Sequence, residues 1–308
     1  MAKYNIERLE YLDIAKGLLI LLVVFGHFFP EGIIRTWIYS FHIPAFFVVS
    51  GITSNYSHSY KLDFKTFIKK KTRSILCPLL YFEVLGIVGR LVRFGFKYKW
   101  YGILFDTISL YFNNTVNWYL FALFFSELLI YILRTKKIAF EYILYIFCLS
   151  IGVLLPSGHV SAVFSWILLG TGFIGLGSKL EKKIEKYSRE PIVLTLCVLI
   201  LTINLCLSEQ VSIYDHEIGN PLIFLLVAGA GILLTIGTAQ YMQPSILENI
   251  GRCSLWIMGT HLPVNNFVHR VLENKLPDFM LPIISFIFVL VLNLGVKKLV
   301  NGQKSLEQ

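Results

Sequence analysis

The sequence is poor in charge: Asp, Glu, Lys and Arg together make up 15% of its 308 residues, whereas hydrophobic residues make up 56%. A soluble globular domain carries about 25% charged residues, and a disordered chain has too few apolar groups to reach this composition. The shortage of charge, with a mean hydropathy of +0.67, excludes both classes. It predicts an all-α integral membrane protein, a helical bundle that crosses the lipid bilayer several times.

Cysteine is also scarce, and the five cysteines show no C-x-x-C spacing. They fall in or beside apolar segments, so we interpret them as small apolar side chains and predict neither a disulfide nor a metal site. Polar linkers, low-complexity tracts and obvious internal repeats are missing from the sequence as well. We therefore expect a single membrane domain over residues 1–308.

The net charge of +9 is a feature shared with nucleic-acid-binding proteins, but the positions of the basic residues argue against a nucleic-acid partner. When the N-terminus is placed in the cytoplasm, most Lys and Arg residues fall in connections on the cytoplasmic side of the membrane. The positive-inside rule explains that bias without a nucleic-acid partner. We predict two cytoplasmic termini and no nucleic-acid ligand.

Ten apolar segments are candidates to cross a hydrocarbon core of about 30 Å. They are approximately residues 11–30, 33–53, 75–94, 118–133, 140–155, 161–177, 192–207, 220–238, 254–272 and 279–296. The first is too long for a signal-peptide core and is followed by no small-residue cleavage site, so we expect it to remain in the mature protein. Residues 95–117 are mixed aromatic and polar, which favours a short interfacial helix and a loop.

The first segment contains three ionisable residues, Asp13, Lys16 and His27. A charged side chain inside a spanning helix costs about 2.5–3.5 kcal/mol or more, so such residues commonly have a function. Lys16 and His27 are three helical turns apart, which places them on the same face about 16 Å from each other. Asp13 and Lys16 lie near the helix start, where mutual pairing or snorkelling explains them equally well. His27 is expected to be buried as a neutral imidazole, with a ring nitrogen that can act as a general base.

Two more histidines, His42 and His261, fall in predicted spanning segments. Pro44 should kink or break the second segment just after His42, and Ser50 lies where a small residue allows helices to approach. Packing against a neighbouring helix accounts for both histidines about as well as a functional role does. Trp118 opens the fourth segment at the predicted outer face, where it belongs to the interfacial aromatic belt or stacks on a sugar ring.

Two sets of charged residues need a partner. Glu127, inside the fourth segment, must be protonated, paired or hydrated to be tolerated there. The densest basic run precedes the third segment and consists of Lys69, Lys70, Lys71 and Arg73. This run is first a topology signal, but it would equally serve as a cytoplasmic clamp for phosphates. From the residues alone, proton-coupled transport and membrane-embedded acyl or phosphoryl transfer are both compatible with the pattern.

Two motifs in the first two segments resemble membrane acyltransferase family 3, and most closely its fucose 4-O-acetylase-related branch. The motif residues are Tyr11, Leu12, Asp13, Lys16, Gly17, Gly26 and His27, then Phe41, His42, Ile43, Pro44, Phe46, Phe47, Ser50 and Gly51. The similarity extends over the basic run before Pro78, over Asn117 and Trp118, and over residues 250–255 with His261. His27 matches the essential histidine of that family, and Lys16 matches a basic residue that is often Arg. Trp118 and Glu127 are too widely spaced for the Trp-x-Leu-x-x-Glu pattern of some branches.

The resemblance implies transfer of an acetyl group from cytoplasmic acetyl-CoA to a hydroxyl of a cell-surface or exported glycan, in the plasma membrane of a bacterium. The implied partners are acyl-CoA, a glycan acceptor and the lipid bilayer, with no metal; the oligomeric state is left open. Catalytic roles fall to His27, Lys16 and Asp13, and acyl-CoA binding to Lys69, Lys70, Lys71 and Arg73. Orientation of the sugar, or donation to the oxyanion, falls to His42, Ser50 and His261, with Trp118 as a further substrate contact. O-succinyl transfer to an exopolysaccharide and a proton-coupled transporter are the alternatives.

Overall fold

A computed structural model describes residues 9–28, 32–94, 118–135, 140–156, 158–207, 211–243, 246–272, 275–277 and 279–306. Its α-helices are α1 (Glu10–Phe28), α2 (Ile33–Tyr39), α3 (His42–Tyr56), α4 (Phe64–Lys71), α5 (Cys77–Phe94), α6 (Trp118–Thr135), α7 (Glu141–Leu154), α8 (His159–Tyr187), α9 (Pro191–Leu207), α10 (Pro221–Tyr241), α11 (Ile246–Arg252), α12 (Ser254–Leu272) and α13 (Met280–Leu306). These ranges contain no β-strand, only an isolated bridge between Ser212 and Glu217. The all-α prediction is confirmed.

Each predicted spanning segment coincides with helical structure, but the helices differ in length and hydropathy. Five helical stretches in the described part of the chain are long and apolar enough to cross a membrane: Glu10–Phe28, Ile33–Tyr56, Trp118–Thr135, Val160–Tyr187 and Pro221–Tyr241. Three shorter apolar helices cover Glu141–Leu154, Pro191–Cys206 and Met280–Gly295. The total of about ten spans and the cytoplasmic location of both termini stay predictions, and the interfacial helix expected over 95–117 lies outside the described residues.

The helices group into two compact units. The first unit comprises Met1–His42, Glu185–Glu209 and Gly229–Gln308, and the second comprises Ile43–Ile184 and Gln210–Ala228. Each unit therefore combines segments that are far apart in the sequence. The expectation of a single domain over the whole chain stays a prediction.

The first unit contains a close crossing between α1 and α11. A Cβ atom on Gly17 would overlap the carbonyl oxygen of Leu247, and one on Gly251 would overlap the carbonyl oxygen of Asp13. Glycine is needed at both positions because only its missing side chain lets the two backbones come this close. Helix α1 also packs against α12, which brings the C-terminal end of α1 beside a second helix that carries a histidine.

The predicted second span is two helices. Helix α2 ends at Tyr39 and α3 begins at His42, so that Pro44 occupies the first turn of α3, where its missing N–H leaves no helical bond unmade. The segment is broken near Pro44 as expected, but the break is at Ser40 and Phe41, before His42 and not after it. It separates Tyr39 from His42 by a short turn, and both rings lie within the first unit.

The second unit joins α4 to α5 without an interruption of the helical path. Residues Thr72–Leu76 form a π-helical turn between the two α-helices. Such turns hold one extra residue per turn and often mark functional positions, because they redirect the side chains that follow. Lys71 ends α4 and is buried, whereas Arg73 lies within this turn and is exposed.

Candidate active site

Three histidines and a tyrosine meet in the first unit. The His27 Nδ1 atom lies 3.3 Å from the Tyr39 hydroxyl oxygen, and the His27 ring centroid is 5.1 Å from that of His261. The Tyr39 and His42 ring centroids are also 5.1 Å apart. We call these four residues the histidine cluster. The structure thus brings together the three histidines that the sequence singled out, and it adds Tyr39.

The members of the histidine cluster differ in exposure. His42 and His261 are buried, with 5% and 2% of their surface accessible, as predicted. His27 has the largest exposed fraction of the three, because it lies in the last turn of α1, which ends one residue later at Phe28. The expectation that the membrane buries its imidazole stays a prediction. A residue with this exposure can be approached by a hydroxyl group of a substrate.

Backbone carbonyls determine which ring nitrogen carries hydrogen in two of the histidines. The Nδ1 atom of His42 lies 2.8 Å from the Ile38 oxygen, and that of His261 lies 2.6 Å from the Met258 oxygen. A carbonyl oxygen only accepts, so each Nδ1 donates, and each Nε2 of a neutral ring carries the lone pair. A neutral His42 or His261 can therefore accept a hydrogen bond through Nε2 but cannot donate one to an oxyanion. This geometry favours the sugar-orienting alternative over oxyanion stabilisation.

Asp13 and Lys16 lie at the other end of α1, and the structure does not bring them to His27. The Lys16 Nζ atom is 3.6 Å from Asp13 Oδ1, which confirms the predicted pairing of these two side chains. The second oxygen of Asp13 is 3.6 Å from Arg252 Nε, and Arg252 also hydrogen-bonds Glu248. The pair between Asp13 and Arg252 joins α1 to α11, and Asp13 is buried, so this pair helps to hold the two helices together. The catalytic roles of Asp13 and Lys16 stay predictions.

One member of the basic run is committed to an ion pair in the second unit. Lys71 is buried, and its Nζ atom lies 2.8 Å from Glu127 Oε1 and 2.9 Å from Ser54 Oγ. Its predicted role in the phosphate clamp does not fit this geometry, because the ammonium group already has a buried partner. Of the three states expected for Glu127, the structure shows the paired one.

Glu127 accepts two further hydrogen bonds. They come from the Ser54 hydroxyl at 2.6 Å and from the Tyr60 hydroxyl at 2.7 Å. Burial, together with the negative charge of Glu127, raises the pKa of Tyr60 well above its ordinary value, so the phenol remains a donor. We call Lys71, Glu127, Ser54 and Tyr60 the buried network. Three donors around one carboxylate compensate for its removal from water.

The remaining basic residues of the run are exposed. Lys69, Lys70 and Arg73 surround the junction between α4 and α5. The Lys70 Nζ atom donates to Ser59 Oγ at 2.8 Å and to Ser57 Oγ at 3.2 Å. Partial burial lowers the pKa of Lys70, and the charge of Lys71 lowers it further against the opposing effect of Glu127. These three cations are the ones that retain access to a phosphate.

Trp118 and Ser50 lie in the second unit. Trp118 is half-buried, and its ring centroid lies 5.2 Å from that of Trp166 and 6.0 Å from that of Tyr214. Trp166 is pinned by hydrogen bonds from its Nε1 to the carbonyl oxygens of Ile213 and Tyr214. Ser50 is half-buried and hydrogen-bonds the side chain of Tyr119. The substrate contacts predicted for Trp118 and Ser50 stay predictions.

Comparison with protein families decides what class of protein carries this arrangement. A family model described as an acyltransferase domain matches residues 9–297. The chain belongs to membrane acyltransferase family 3. No curated protein and no solved structure matches the acyltransferase. The match covers both units, so it extends over the histidine cluster and the buried network alike; the fucose 4-O-acetylase-related branch stays a prediction.

Sequence reasoning missed two side chains in the first unit of this acyltransferase. Tyr39 precedes His42 by three residues, and Asn265 follows His261 by four residues on α12. Residues three or four apart share a helix face, so the second spacing was a signal that could have identified Asn265. Across the described ranges, no group of three or more His, Cys, Asp or Glu side chains is arranged to hold a metal ion.

Proposed function

We propose that this acyltransferase moves an acetyl group from cytoplasmic acetyl-CoA to a hydroxyl group of an exported or cell-surface glycan, in the plasma membrane of a bacterium. The observation that carries the proposal is the exposed imidazole of His27, held beside Tyr39 and His261. A neutral imidazole with an accessible nitrogen is the group that general-base catalysis of ester formation needs. The family of the chain supplies the acyl-transfer chemistry.

In the proposed reaction, His27 Nδ1–H donates to the Tyr39 oxygen and leaves the lone pair on Nε2. As the acceptor oxygen attacks the thioester carbonyl, Nε2 takes the hydroxyl proton. The new C–O bond forms, the C–S bond breaks, and the imidazolium returns the proton to the departing CoA thiolate. In the alternative, His27 Nε2 attacks the thioester carbonyl, a C–N bond forms and the C–S bond breaks to release the CoA thiolate. The sugar oxygen then attacks the acyl-imidazole, the C–O bond forms as the C–N bond breaks, and the hydroxyl proton passes through the freed imidazole to the thiolate.

Donor binding is proposed for the exposed cations of the second unit. Lys69, Lys70 and Arg73 would make charge-assisted hydrogen bonds to the phosphates of acetyl-CoA. Lys71 is left out because Glu127 holds its ammonium group. Lys16 is proposed to contact the donor as well, as a charge only, because lysine lacks the two-pronged phosphate contact of arginine.

Acceptor binding is proposed for His42 and His261, whose Nε2 lone pairs would receive hydrogen bonds from sugar hydroxyls. The half-buried Trp118 would stack its ring on the apolar face of a sugar. Ser50 would supply a further hydroxyl contact. These roles concern substrate orientation and leave proton transfer to His27.

The decisive experiment measures transfer directly. The purified protein in proteoliposomes would be supplied with acetyl-CoA labelled in its acetyl group and with surface glycan from a strain that lacks the gene. Label incorporated as an alkali-labile ester supports the proposal, and the same assay with succinyl-CoA tests the choice of acyl group. Movement of protons or sugar without consumption of acyl-CoA would instead support the transporter. Glycan analysis of the deletion strain identifies the sugar that loses its ester.

Replacing Arg73 with methionine should raise the KM for acetyl-CoA about tenfold and leave kcat near its original value. The lost contact is a charge-assisted hydrogen bond to a phosphate that does not change during the reaction. Lys65→Met is the matched control, because Lys65 is an exposed lysine on α4 outside the proposed clamp. Initial-rate kinetics over a range of acetyl-CoA concentrations provide the test. An equal rise in KM for both variants would show a general charge effect and contradict the clamp.

Replacing Tyr39 with phenylalanine should lower kcat about fivefold while the KM values for donor and acceptor stay unchanged. The phenol contributes one hydrogen bond that orients His27, and such bonds are worth about 1 kcal/mol. Tyr241→Phe is the control, because it removes a tyrosine hydroxyl that bonds the Arg189 carbonyl in the same unit. A Tyr39→Phe enzyme with the parent kcat would show that His27 needs no such partner.

A further inference from the structure

Helix α12 carries two buried acceptor atoms with no hydrogen-bond donor. Within the described residues, His261 Nε2 and Asn265 Oδ1 are fully covered and have no partner. The His261 Nε2 atom needs a donor because Nδ1 already donates to the Met258 carbonyl. An acceptor that is removed from water and left unpaired is costly, so a native structure that keeps two of them calls for an explanation.

The two atoms lie on the same face of the helix. Their residues are four positions apart, which places the Cβ atoms about 5–6 Å from each other. The His261 ring centroid is 5.1 Å from that of His27, so this face of α12 lies beside the proposed catalytic histidine.

The other buried asparagines of this unit differ in their pairing, and Asn204 Nδ2 on α9 has no partner either. Asn293 on α13 is also buried, and its Nδ2 donates to Thr260 Oγ1 at 3.0 Å and to the Val289 oxygen at 2.8 Å. These contacts satisfy the amide nitrogen of Asn293, whereas in Asn265 the amide oxygen is the atom without a donor. A hydroxyl group of a ligand is a donor of the kind that Asn265 Oδ1 lacks.

We propose that His261 Nε2 and Asn265 Oδ1 bind two hydroxyl groups of the sugar acceptor, and that Asn265 thereby selects which sugars are acylated. This inference rests on the proposed function, since it takes the ligand to be the glycan whose hydroxyl reacts at His27. A sugar suits the site because neighbouring ring hydroxyls present two donors a few ångströms apart. A thioester donor offers no such pair of hydroxyls at its reactive end.

The test compares Asn265→Leu with Asn293→Leu in detergent-purified protein without acyl-CoA. Sugar affinity is measured by thermal unfolding with methyl fucoside, methyl galactoside and methyl glucoside, and with analogues that each lack one hydroxyl. We expect the parent to bind at least one glycoside and to lose about tenfold in affinity when the hydroxyl facing Asn265 is removed. Asn265→Leu should show the same loss with the intact sugar and no further loss with that analogue.

The unfolding temperatures without sugar provide an independent arm. Asn265→Leu should unfold at the parent temperature or above it, because an unpaired polar atom is replaced by an apolar group of similar size. Asn293→Leu should unfold at a lower temperature, because two hydrogen bonds are lost, and should still bind sugar. Asn265→Ala replaces the leucine variant if the larger side chain does not fit.

Three outcomes would overturn the inference. The first is a parent protein that binds none of the glycosides, and the second is an Asn265→Leu protein that binds sugar as tightly as the parent. The third is additivity, in which Asn265→Leu loses further affinity for the deoxy analogue by the same factor as the parent does. Binding through Asn265 in a protein that transfers no acetyl group would instead contradict the proposed function and leave the sugar site standing. Acetyl transfer by the parent, together with parent-like sugar binding by Asn265→Leu, would contradict the sugar site and leave the proposed function standing.

Discussion

Replacing His27 with glutamine should lower kcat for acyl transfer by about 10²–10⁴-fold. Glutamine keeps a hydrogen-bonding side chain at the position but cannot take a proton from the acceptor hydroxyl, which is the contribution expected of a general base. Ester formation in proteoliposomes, with labelled acetyl-CoA at saturating concentration, measures the effect. We expect the KM for acetyl-CoA to change little, because His27 is proposed to act on the proton and not on the nucleotide.

The control for this change is His269→Gln. His269 lies on α12 in the same unit but makes none of the contacts of the histidine cluster. Both variants should unfold at the parent temperature, since His27 is exposed and exposed substitutions shift stability by about 0.5 kcal/mol or less. A His27→Gln enzyme that forms esters at the parent rate would end the proposal that this imidazole moves the proton.

Replacing Lys71 with methionine should lower the free energy of unfolding by about 3–5 kcal/mol. The substitution leaves the Glu127 carboxylate buried without its cation, and breaking a buried ion pair on one side is strongly destabilising. Lys69→Met is the matched control, because Lys69 is an exposed lysine two residues earlier on α4. Reversible unfolding in mixed micelles, titrated with a denaturing detergent, provides the comparison.

The double variant Lys71→Met with Glu127→Gln tests whether the loss of stability comes from the unpaired carboxylate of Glu127. Most of the lost stability should return, because the neutral amide needs no cation. Its oxygen accepts from one of the two hydroxyl groups, Ser54 or Tyr60, and its NH2 group donates to the other. The folded Lys71→Met fraction should also keep the parent KM for acetyl-CoA, unlike Arg73→Met. Independent, additive losses in the double variant would contradict the coupling, and a raised KM would return Lys71 to the phosphate clamp.

Several features of this chain were predictable because they depend on residues that are close together in the sequence. The Asp13–Lys16 pair follows from a spacing of three residues, and the break before α3 follows from Pro44. The three histidines were recognisable as candidates because each is an ionisable residue in an apolar segment. The residues in contact with these histidines were not predictable, because Tyr39 reaches His27 only where α2 packs back against α1.

The exposure of side chains was the least predictable property. Hydropathy placed His27 deep in a spanning segment, yet it lies in the last turn of α1 and is accessible. Lys71 belonged by sequence to a surface run of lysines, yet it is the buried member. Both cases depend on which helices lie opposite, and a local pattern contains no information about a partner from another part of the chain.

The sequence by itself determined that this protein is a helical membrane acyltransferase, because hydropathy is a sum over neighbouring residues and the family motifs lie within short stretches. Only the tertiary structure decided that His27 meets His261, that Lys71 pairs with Glu127 and that Asn265 keeps an unpaired oxygen. These contacts join helices separated by long segments of chain. Their energies come from burial and pairing across helix interfaces, which no local pattern specifies.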